Sequence, residues 1–586
     1  MNQPNRPILP VISELELLGR DLVEPTRRKT PWRFAGKEHD TGLGVDDLLS
    51  SRVWNSLRVV HAWEATPPRE VVVGSTTLSV HSATLAPWLT EGPSCLLIHR
   101  LQELCQEHGV FEVNIDAATG LVTTCAADEN PAMHINRWVT DSVRTLALLD
   151  PAQRKRVLKT LETFYDGPVE REAFSLCITQ PGYYQADRKN GVAHIFRIRD
   201  GQLVRDSEWF NNARLESHAL ALGAFVEELL LEAVPPSAAR LRVVANLARY
   251  LEAIGYATAP SAGCWEEMPF PGGLTWDAEA GRAAFAKLKL LQSERPDVWG
   301  KVLETAARLY PGYPTCLGRL DGLDDLIGQG LSRVRTHYLA EAPGRREHDA
   351  ALVFVAQSSD LKLSDDAVED IHRFEELLES LEKHLVRRHG MIRYAPFRMS
   401  QLDDECLPDS YLACNYWLAL DETGCLNPPR MRMLQEFGSK DASDPEVFRA
   451  RCALAIPDRE AEWFMVSDLS RAWSRQVERI RVALKSVQDN DTKLSLARME
   501  ENALRQAVVH LYRALARITD AGGVKSNGQP CPFLSVPEAW EWVRVNGGAV
   551  GEPAYYVDRA FAGVNTPLAW AQASLWDAFI WLQGVL

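Results

Sequence analysis

The stretch SDDAVEDIHRFEELLESLEKHLVRRHG, residues 364–390, repeats its apolar side chains at steps of three and four. The repeating side chains are Val368, Ile371, Phe374, Leu378, Leu381 and Leu385. This spacing places them on one face of an α-helix. Ser364 is a suitable cap for the first turn, and Gly390 is a suitable left-handed stop after the last. The stretch therefore predicts one long helix with a buried face.

The helical period recurs over most of the chain. It is found at about 91–107, 137–165, 214–255, 278–309, 407–421, 460–486, 493–519 and 567–584. Strand-like alternation is concentrated at 58–63 and 70–80, and the short β-rich pieces 193–198 and 351–355 are interpreted as hairpin or loop insertions. The sequence predicts an all-α body over residues 91–586 with a small mixed appendage over 1–90. Stacked helical hairpins, in an open solenoid or a closed ring, fit the body.

The amino-acid composition limits the kinds of molecule that the protein is expected to bind. The 586 residues carry a formal net charge of -15. Nucleic acids and anionic membranes attract clustered positive charge, so neither is an expected partner. No apolar run approaches the roughly 20 residues that cross a bilayer, and a cytoplasmic protein is expected. The eleven cysteines form no Cys-x-x-Cys pair, which favours reduced thiols and no metal site.

Two adjacent carboxylates follow an aromatic residue at Trp265-Glu266-Glu267, after an apolar helical pattern. An aromatic neighbour removes part of a carboxyl group's hydration, which raises its pKa and lets it donate a proton near neutrality. Glu266 is therefore the candidate general acid. The alternative is that both glutamates are solvated side chains at the end of a helix.

Three further segments place polar or aromatic groups at the start of a predicted helix. They contain Trp138 with Asp141, Arg214 after two asparagines, and Trp570 just after Thr566-Pro567. A carboxylate accepts hydroxyl protons of a sugar, while an aromatic face covers the apolar side of the ring. Helix capping and core packing explain each segment equally well when it is taken alone. Their shared design predicts one cleft that binds a carbohydrate.

These segments carry a family resemblance in their order along the chain. Trp138 to Asp141, Trp265-Glu266-Glu267, Arg393-Tyr394 and Thr566 to Trp570 occur as in glucoamylase-like enzymes of glycoside hydrolase family 15. The order also resembles the helical domain of phosphorylase kinase alpha and beta regulatory subunits. The resemblance covers roughly residues 91–586, in patches. It implies an (α/α)6 toroid of six inner and six outer helices.

The resemblance also implies roles for individual residues. Glu266 is similar to the family's general acid, and Glu552 to the general base that activates water in an inverting reaction. Sugar contacts would come from Trp138, Asp141, Arg214, Trp265, Glu267, Arg393, Tyr394 and Trp570. Thr140 stands where the family commonly has an arginine that contacts sugar. Glu541 and Asp558 are alternatives for the base, and the acidic stretch 403–405 is an alternative source of substrate contacts.

Two functions follow as expectations. The first is exo-acting, inverting hydrolysis of α-glucosidic bonds in short oligosaccharides or disaccharides, with no cofactor. The second is a noncatalytic scaffold or glucan sensor, as the resemblance to kinase regulatory subunits implies. The retained Glu266 and Glu267 favour the enzyme, while Thr140 favours the binder.

Overall fold

The structure is a computed structural model, and it describes a large part of the chain. The described residues are 69–73, 76–89, 95–117, 119–125, 136–186, 190–199, 202–205, 214–231, 235–265, 272–343, 346–387, 390–393, 462–519, 525, 530–545, 555–562 and 566–586. The predicted strand at 58–63, the helix at 407–421 and the acidic stretch 403–405 lie outside them.

The described chain is mostly helical, which confirms the predicted class at that level. The helices are α1 (Ala86–Leu89), α2 (Cys95–Glu107), α3 (Val139–Arg144), α4 (Pro151–Tyr165), α5 (Pro168–Thr179), α6 (Pro181–Ala186), α7 (Leu215–Leu231), α8 (Ala238–Ile254), α9 (Thr275–Glu294), α10 (Pro296–Leu309), α11 (Gly322–His337), α12 (Leu352–Gln357), α13 (Ala367–Leu385), α14 (Val466–Ser486), α15 (Asn490–Ala516) and α16 (Ala569–Val585). A short 3-10 turn, Thr145–Leu148, follows α3.

Three small antiparallel sheets accompany the helices. The strands are β1 (Arg69–Val73), β2 (Thr76–Val80), β3 (Asn136–Trp138), β4 (Ile195–Arg199), β5 (Gln202–Arg205), β6 (Glu462–Trp463), β7 (Ala539–Val545) and β8 (Tyr555–Ala562). The sheets have the orders β1-β2, β3-β4-β5 and β6-β7-β8. Two of them lie directly before α3 and α14, because β3 runs into α3 and β6 lies three residues before α14.

Six helices pack against one another in a cycle of neighbours. Each helix of the cycle contacts the next in the order α3, α7, α9, α12, α14 and α16, and α16 contacts α3. A second set of helices packs against members of this cycle: α8 on α7, α11 on α9, α13 on α12, α15 on α14 and α2 on α16. One continuous apolar core joins both sets. Most of the residues of α7, α9 and α12 are buried, whereas α14 has an exposed position at Val482.

Helix α13 confirms the helix predicted from residues 364–390, with different ends. The side chain of Asp366 accepts hydrogen bonds from the N–H groups of Val368 and Glu369, so Asp366 is the N-cap and not Ser364. The helix ends at Leu385 with an extended Val386, so Gly390 is not its stop. Val386 instead pairs with Met391 in an isolated antiparallel bridge, and the N–H of Arg387 donates to the carbonyl of Gly390 at 2.8 Å.

The β-rich piece 351–355 is helical, and the prediction of a hairpin or loop there was wrong. Residues 352–357 form α12, and all six are buried. The carboxylate of Asp349 accepts the N–H of Ala351 at 2.7 Å, which supports the start of the helix. A short apolar run in a fully enclosed site loses its periodicity, so composition alone does not distinguish helix from strand. The other β-rich piece does contain a strand, β4.

The β1-β2 hairpin confirms the strands predicted at 70–80 and packs on the helices. Leu78 and Val80 belong to the same apolar core as the helical body. The N–H of His81 donates to the carbonyl of Ala516 at the end of α15, at 3.0 Å. The predicted boundary between a small appendage and the helical body, near residue 90, stays a prediction. The hairpin and the helical body share one apolar core.

Replacing Gly281 by alanine is expected to destabilise the protein. A Cβ atom there would lie 2.1 Å from the Cδ2 atom of Tyr256, a side chain anchored by its hydroxyl to the carbonyl of Leu326 at 2.7 Å. Overpacking of a core typically costs about 1–3 kcal/mol and outweighs the helix propensity of alanine. A fall in the thermal midpoint checks this. Gly300→Ala in α10, where no atom lies within 4 Å of the new Cβ, is the control and should leave the midpoint equal or higher.

No helix in the described part of the chain has the length and apolar character needed to cross a bilayer. Six cysteines are free thiols, namely Cys105, Cys125, Cys177, Cys264, Cys316 and Cys531.

Candidate functional site

A cavity of about 690 Å³, counting its part open to solvent, lies beside the first residues of α3, α14 and α16. Polar and aromatic side chains from distant parts of the sequence line it. The lining residues are Thr124, Trp138, Asp141, Arg214, Cys264, Trp265, Arg393, Phe464, Met465, Asp468, Glu538, Leu568, Trp570, Ala571 and Ser574. Its size and mixed lining suit a small polar ligand.

Every sugar-contact residue predicted from the sequence and described by the structure lines this cavity. These residues are Trp138, Asp141, Arg214, Trp265, Arg393 and Trp570, and five separate segments of the chain supply them. The predicted acid Glu266, the predicted base Glu552 and the predicted contacts Glu267 and Tyr394 lie outside the described residues. Glu266 is covalently bonded to Trp265, a residue of the cavity wall. The roles of all ten residues stay predictions.

The cavity lies where several helices of the cycle begin. Asp141 is in the first turn of α3, Asp468 is in the first turn of α14, and Arg214 directly precedes α7. Trp570 is the second residue of α16. The first turn of a helix has unpaired N–H groups and a partial positive charge, which stabilise nearby carboxylates. The fold thus brings the carboxylates of Asp141 and Asp468 to the same cavity as Arg214.

The predicted start of the last helix was wrong by two residues. Thr566 and Pro567 precede the helix, Leu568 is its N-cap, and no side chain caps it. The N–H of Leu568 donates to the carbonyl of Val536 at 3.1 Å, and that of Ala569 donates to the carbonyl of Thr124 at 3.1 Å. Backbone groups of other segments therefore satisfy this helix end and hold Trp570 at the cavity.

Two tryptophans form one wall. The rings of Trp265 and Trp570 stack with centroids 6.4 Å apart and an interplanar angle of 16°. The guanidinium carbon of Arg393 lies 4.9 Å from the centroid of Trp265. Aromatic faces of this kind cover the apolar C–H side of a sugar ring. Stacking with Arg393 adds a cation–π attraction that fixes the position of Trp265.

Asp349 holds this wall from behind. Its Oδ1 accepts a hydrogen bond from Trp265 Nε1 at 2.8 Å, and its Oδ2 accepts one from Arg346 Nη1 at 3.1 Å. The N–H of the next residue, Ala350, donates to the carbonyl of Arg393 at 2.6 Å. One short segment before α12 therefore positions both Trp265 and Arg393.

The cavity residue Arg214 pairs with a buried carboxyl group, Glu216, in the first turn of α7. Arg214 forms an ion pair with Glu216, and both side chains are nearly inaccessible to solvent. Asp277, in the first turn of α9, lies near Glu216. Burial raises the pKa of Asp277 well above its usual value, and the negative charge of Glu216 raises it further. The uncharged form of Asp277 is favoured, which limits repulsion between the two acids.

Two acidic lining residues were not found from the sequence. Asp468 is buried, and Gln357 Nε2 donates to its Oδ1 at 3.1 Å. Glu538 lies just before β7, and its carbonyl accepts the N–H of Phe464 at 2.9 Å. Asp468 is in the first turn of α14, but the helix was predicted to begin at about residue 460, so the sequence did not place this acid at a helix start. Glu538 had no local signal either, since only β-sheet pairing brings it to the cavity.

No group of three or more histidine, cysteine, aspartate or glutamate side chains within the described residues is arranged to hold a metal ion. Comparison of the chain with known proteins gives no assignment. The sequence matches no protein-family model, and no curated protein matches it.

Proposed function

We propose that this protein is an inverting, exo-acting hydrolase of α-glucosidic bonds in short oligosaccharides or disaccharides. The supporting observation is that Trp138, Asp141, Arg214, Trp265, Arg393 and Trp570 line one cavity. The first of these lies 432 positions before the last, and their selection used only the resemblance and local sequence. Helix capping is the alternative explanation for each segment taken alone. It does not explain why all six side chains line the same cavity.

We also propose that the helices form an (α/α)6 toroid. The cycle of contacts from α3 through α7, α9, α12, α14 and α16 back to α3 supports six inner helices, and the outer packing of α8, α11, α13, α15 and α2 supports the second layer. The cavity lies at the amino ends of several inner helices, where such a ring would be open.

In the proposed reaction the terminal sugar binds against Trp265 and Trp570, and Asp141 accepts hydrogen bonds from its hydroxyl groups. Glu266 donates a proton to the oxygen of the leaving group. A second carboxylate removes a proton from the water that attacks the anomeric carbon from the opposite face. The product then has the β configuration.

The second carboxylate has two candidates. Glu552 is assigned by the resemblance alone and lies outside the described residues. Glu538 lines the cavity and is partly exposed. We propose Glu538 as a candidate base of equal standing, since a base must reach the water it activates.

The purified protein is expected to release glucose from at least one of maltose, isomaltose, trehalose, kojibiose, nigerose and maltotriose. NMR of fresh product identifies the anomer, and β-glucose indicates inversion. Boiled protein is the control. Sugar binding without release from any of these compounds would contradict hydrolysis and support the noncatalytic sensor.

A further inference from the structure

Asp349 is a fully buried carboxylate that accepts hydrogen bonds from both near and distant parts of the chain. The near donors are the N–H of Ala351 and Arg346 Nη1, two and three residues away. The distant donor is Trp265 Nε1, which lies 84 positions earlier and 2.8 Å from Oδ1. The near contacts support the start of α12 and balance the buried charge. Only the distant one joins Asp349 to a side chain of the cavity wall.

Trp265 presents little of its surface to the cavity. It lines the cavity although only 4% of the residue is exposed. A small rotation of the ring therefore replaces much of the surface that a ligand contacts. An indole has a single N–H donor, and a hydrogen bond to a carboxylate is both strong and directional. The bond to Asp349 thus selects one orientation of the ring.

The residue after Asp349 supports the same wall. The N–H of Ala350 donates to the carbonyl of Arg393, whose guanidinium carbon lies 4.9 Å from the ring centroid of Trp265. Two adjacent residues before α12 therefore hold a ring and a cation that both line the cavity. Asp349 itself is not among the lining residues. Its effect on a ligand must pass through the residues that it holds.

We propose that Asp349 is a positioning residue of the candidate site, whose hydrogen bond to Trp265 Nε1 sets the affinity of the cavity for the sugar ring. The inference rests on the proposed function for the identity of the ligand, an α-glucoside. The alternative is a purely structural role, since Asp349 also supports α12 and pairs with Arg346. The two roles differ in one respect. Only a positioning role requires the indole N–H of Trp265 for an effect on sugar affinity.

The test is a double-mutant cycle that measures calorimetric affinity for methyl α-glucoside. Asp349→Asn keeps the shape of the side chain but loses its charge, and it should weaken binding about 5- to 30-fold. Trp265→Phe keeps an aromatic face but has no N–H donor, so it should also weaken binding. In the Trp265→Phe background, Asp349→Asn should cause no further loss, because the bond through which it acts is already absent. Additive losses in the double variant would overturn the inference.

The indole N–H resonance of Trp265 gives a second measurement that needs no ligand. With isotopically labelled tryptophan, the indole signal that disappears in Trp265→Phe is that of Trp265. A charge-assisted hydrogen bond deshields its proton more than a neutral one, so this signal should move to lower frequency in Asp349→Asn. An unchanged signal would contradict the inference. If Asp349→Asn does not fold, Asp349→Ser keeps a capping oxygen for α12 and withdraws the acceptor from Trp265.

Asp366→Asn is the matched control. Asp366 also accepts two backbone N–H groups at the start of a helix, α13, but it is exposed and does not line the cavity. This change should leave the sugar affinity and the Trp265 signal unchanged. Sugar binding without hydrolysis would defeat the proposed function alone, whereas hydrolysis with additive losses would defeat this inference alone. Absence of sugar binding by the wild-type protein would overturn both.

Discussion

Glu266→Gln is expected to lower kcat for glucoside hydrolysis by about 10²- to 10⁴-fold, the contribution typical of a positioned general acid. Glutamine keeps the shape of the side chain but has no transferable proton. The proposed sugar contacts at Trp265 and Trp570 are unaffected, since both residues still line the cavity, so KM should change little. Initial rates on the preferred disaccharide, together with calorimetric sugar affinity, separate the two effects.

Substrate choice provides a second check on Glu266. A glucoside with a good leaving group, such as a fluoride, needs little protonation, so Glu266→Gln should lose much less activity on it. Glu304→Gln, the same change at an exposed position of α10, is the control and should retain full activity. Unchanged disaccharide hydrolysis in Glu266→Gln would remove Glu266 from the mechanism.

One of Glu538→Gln and Glu552→Gln is expected to lose about 10²- to 10⁴-fold in kcat, whereas the other should retain most activity. The base removes a proton from water, so its loss affects fluoride and disaccharide substrates alike. This pattern distinguishes the base from Glu266. Rates for both variants on both substrates give the measurement.

Azide identifies the base independently. It attacks the anomeric carbon without losing a proton, so it should restore glucosyl transfer in the variant that lacks the base, with β-glucosyl azide as the product. Near-normal hydrolysis in both variants would exclude both residues and leave Glu541 and Asp558 to be tested. Rescue of Glu538→Gln alone would assign the role to the residue observed in the cavity.

Secondary structure was predicted better from the sequence for a long helix with one solvated face than for a short, fully buried helix. Helix α13 was predicted because one face is buried and the other solvated, which leaves a clear period of three and four. The ends were predicted less well, since Ser364 and Asp366 are both good caps and only the folded backbone selects one. Helix α12 was mistaken for a β-rich insertion because all its residues are buried.

The candidate site likewise contains residues that were predicted from the sequence and residues that were not. Trp138, Asp141, Arg214, Trp265, Arg393 and Trp570 were selected from local patterns and resemblance, and the cavity includes all six. Asp468 and Glu538 also line the cavity and were not selected. Glu538 reaches the cavity through the pairing of β6 with β7, so its position has no local signature.

The sequence by itself determined the helical class, the faces that form the core and the chemical types available for a site. These properties depend on interactions between residues a few positions apart, which periodicity and capping express directly. The tertiary structure alone decided which helix ends meet. Contacts between residues hundreds of positions apart, such as Trp265 with Trp570, arise from the packing of the whole core, and no local pattern encodes them.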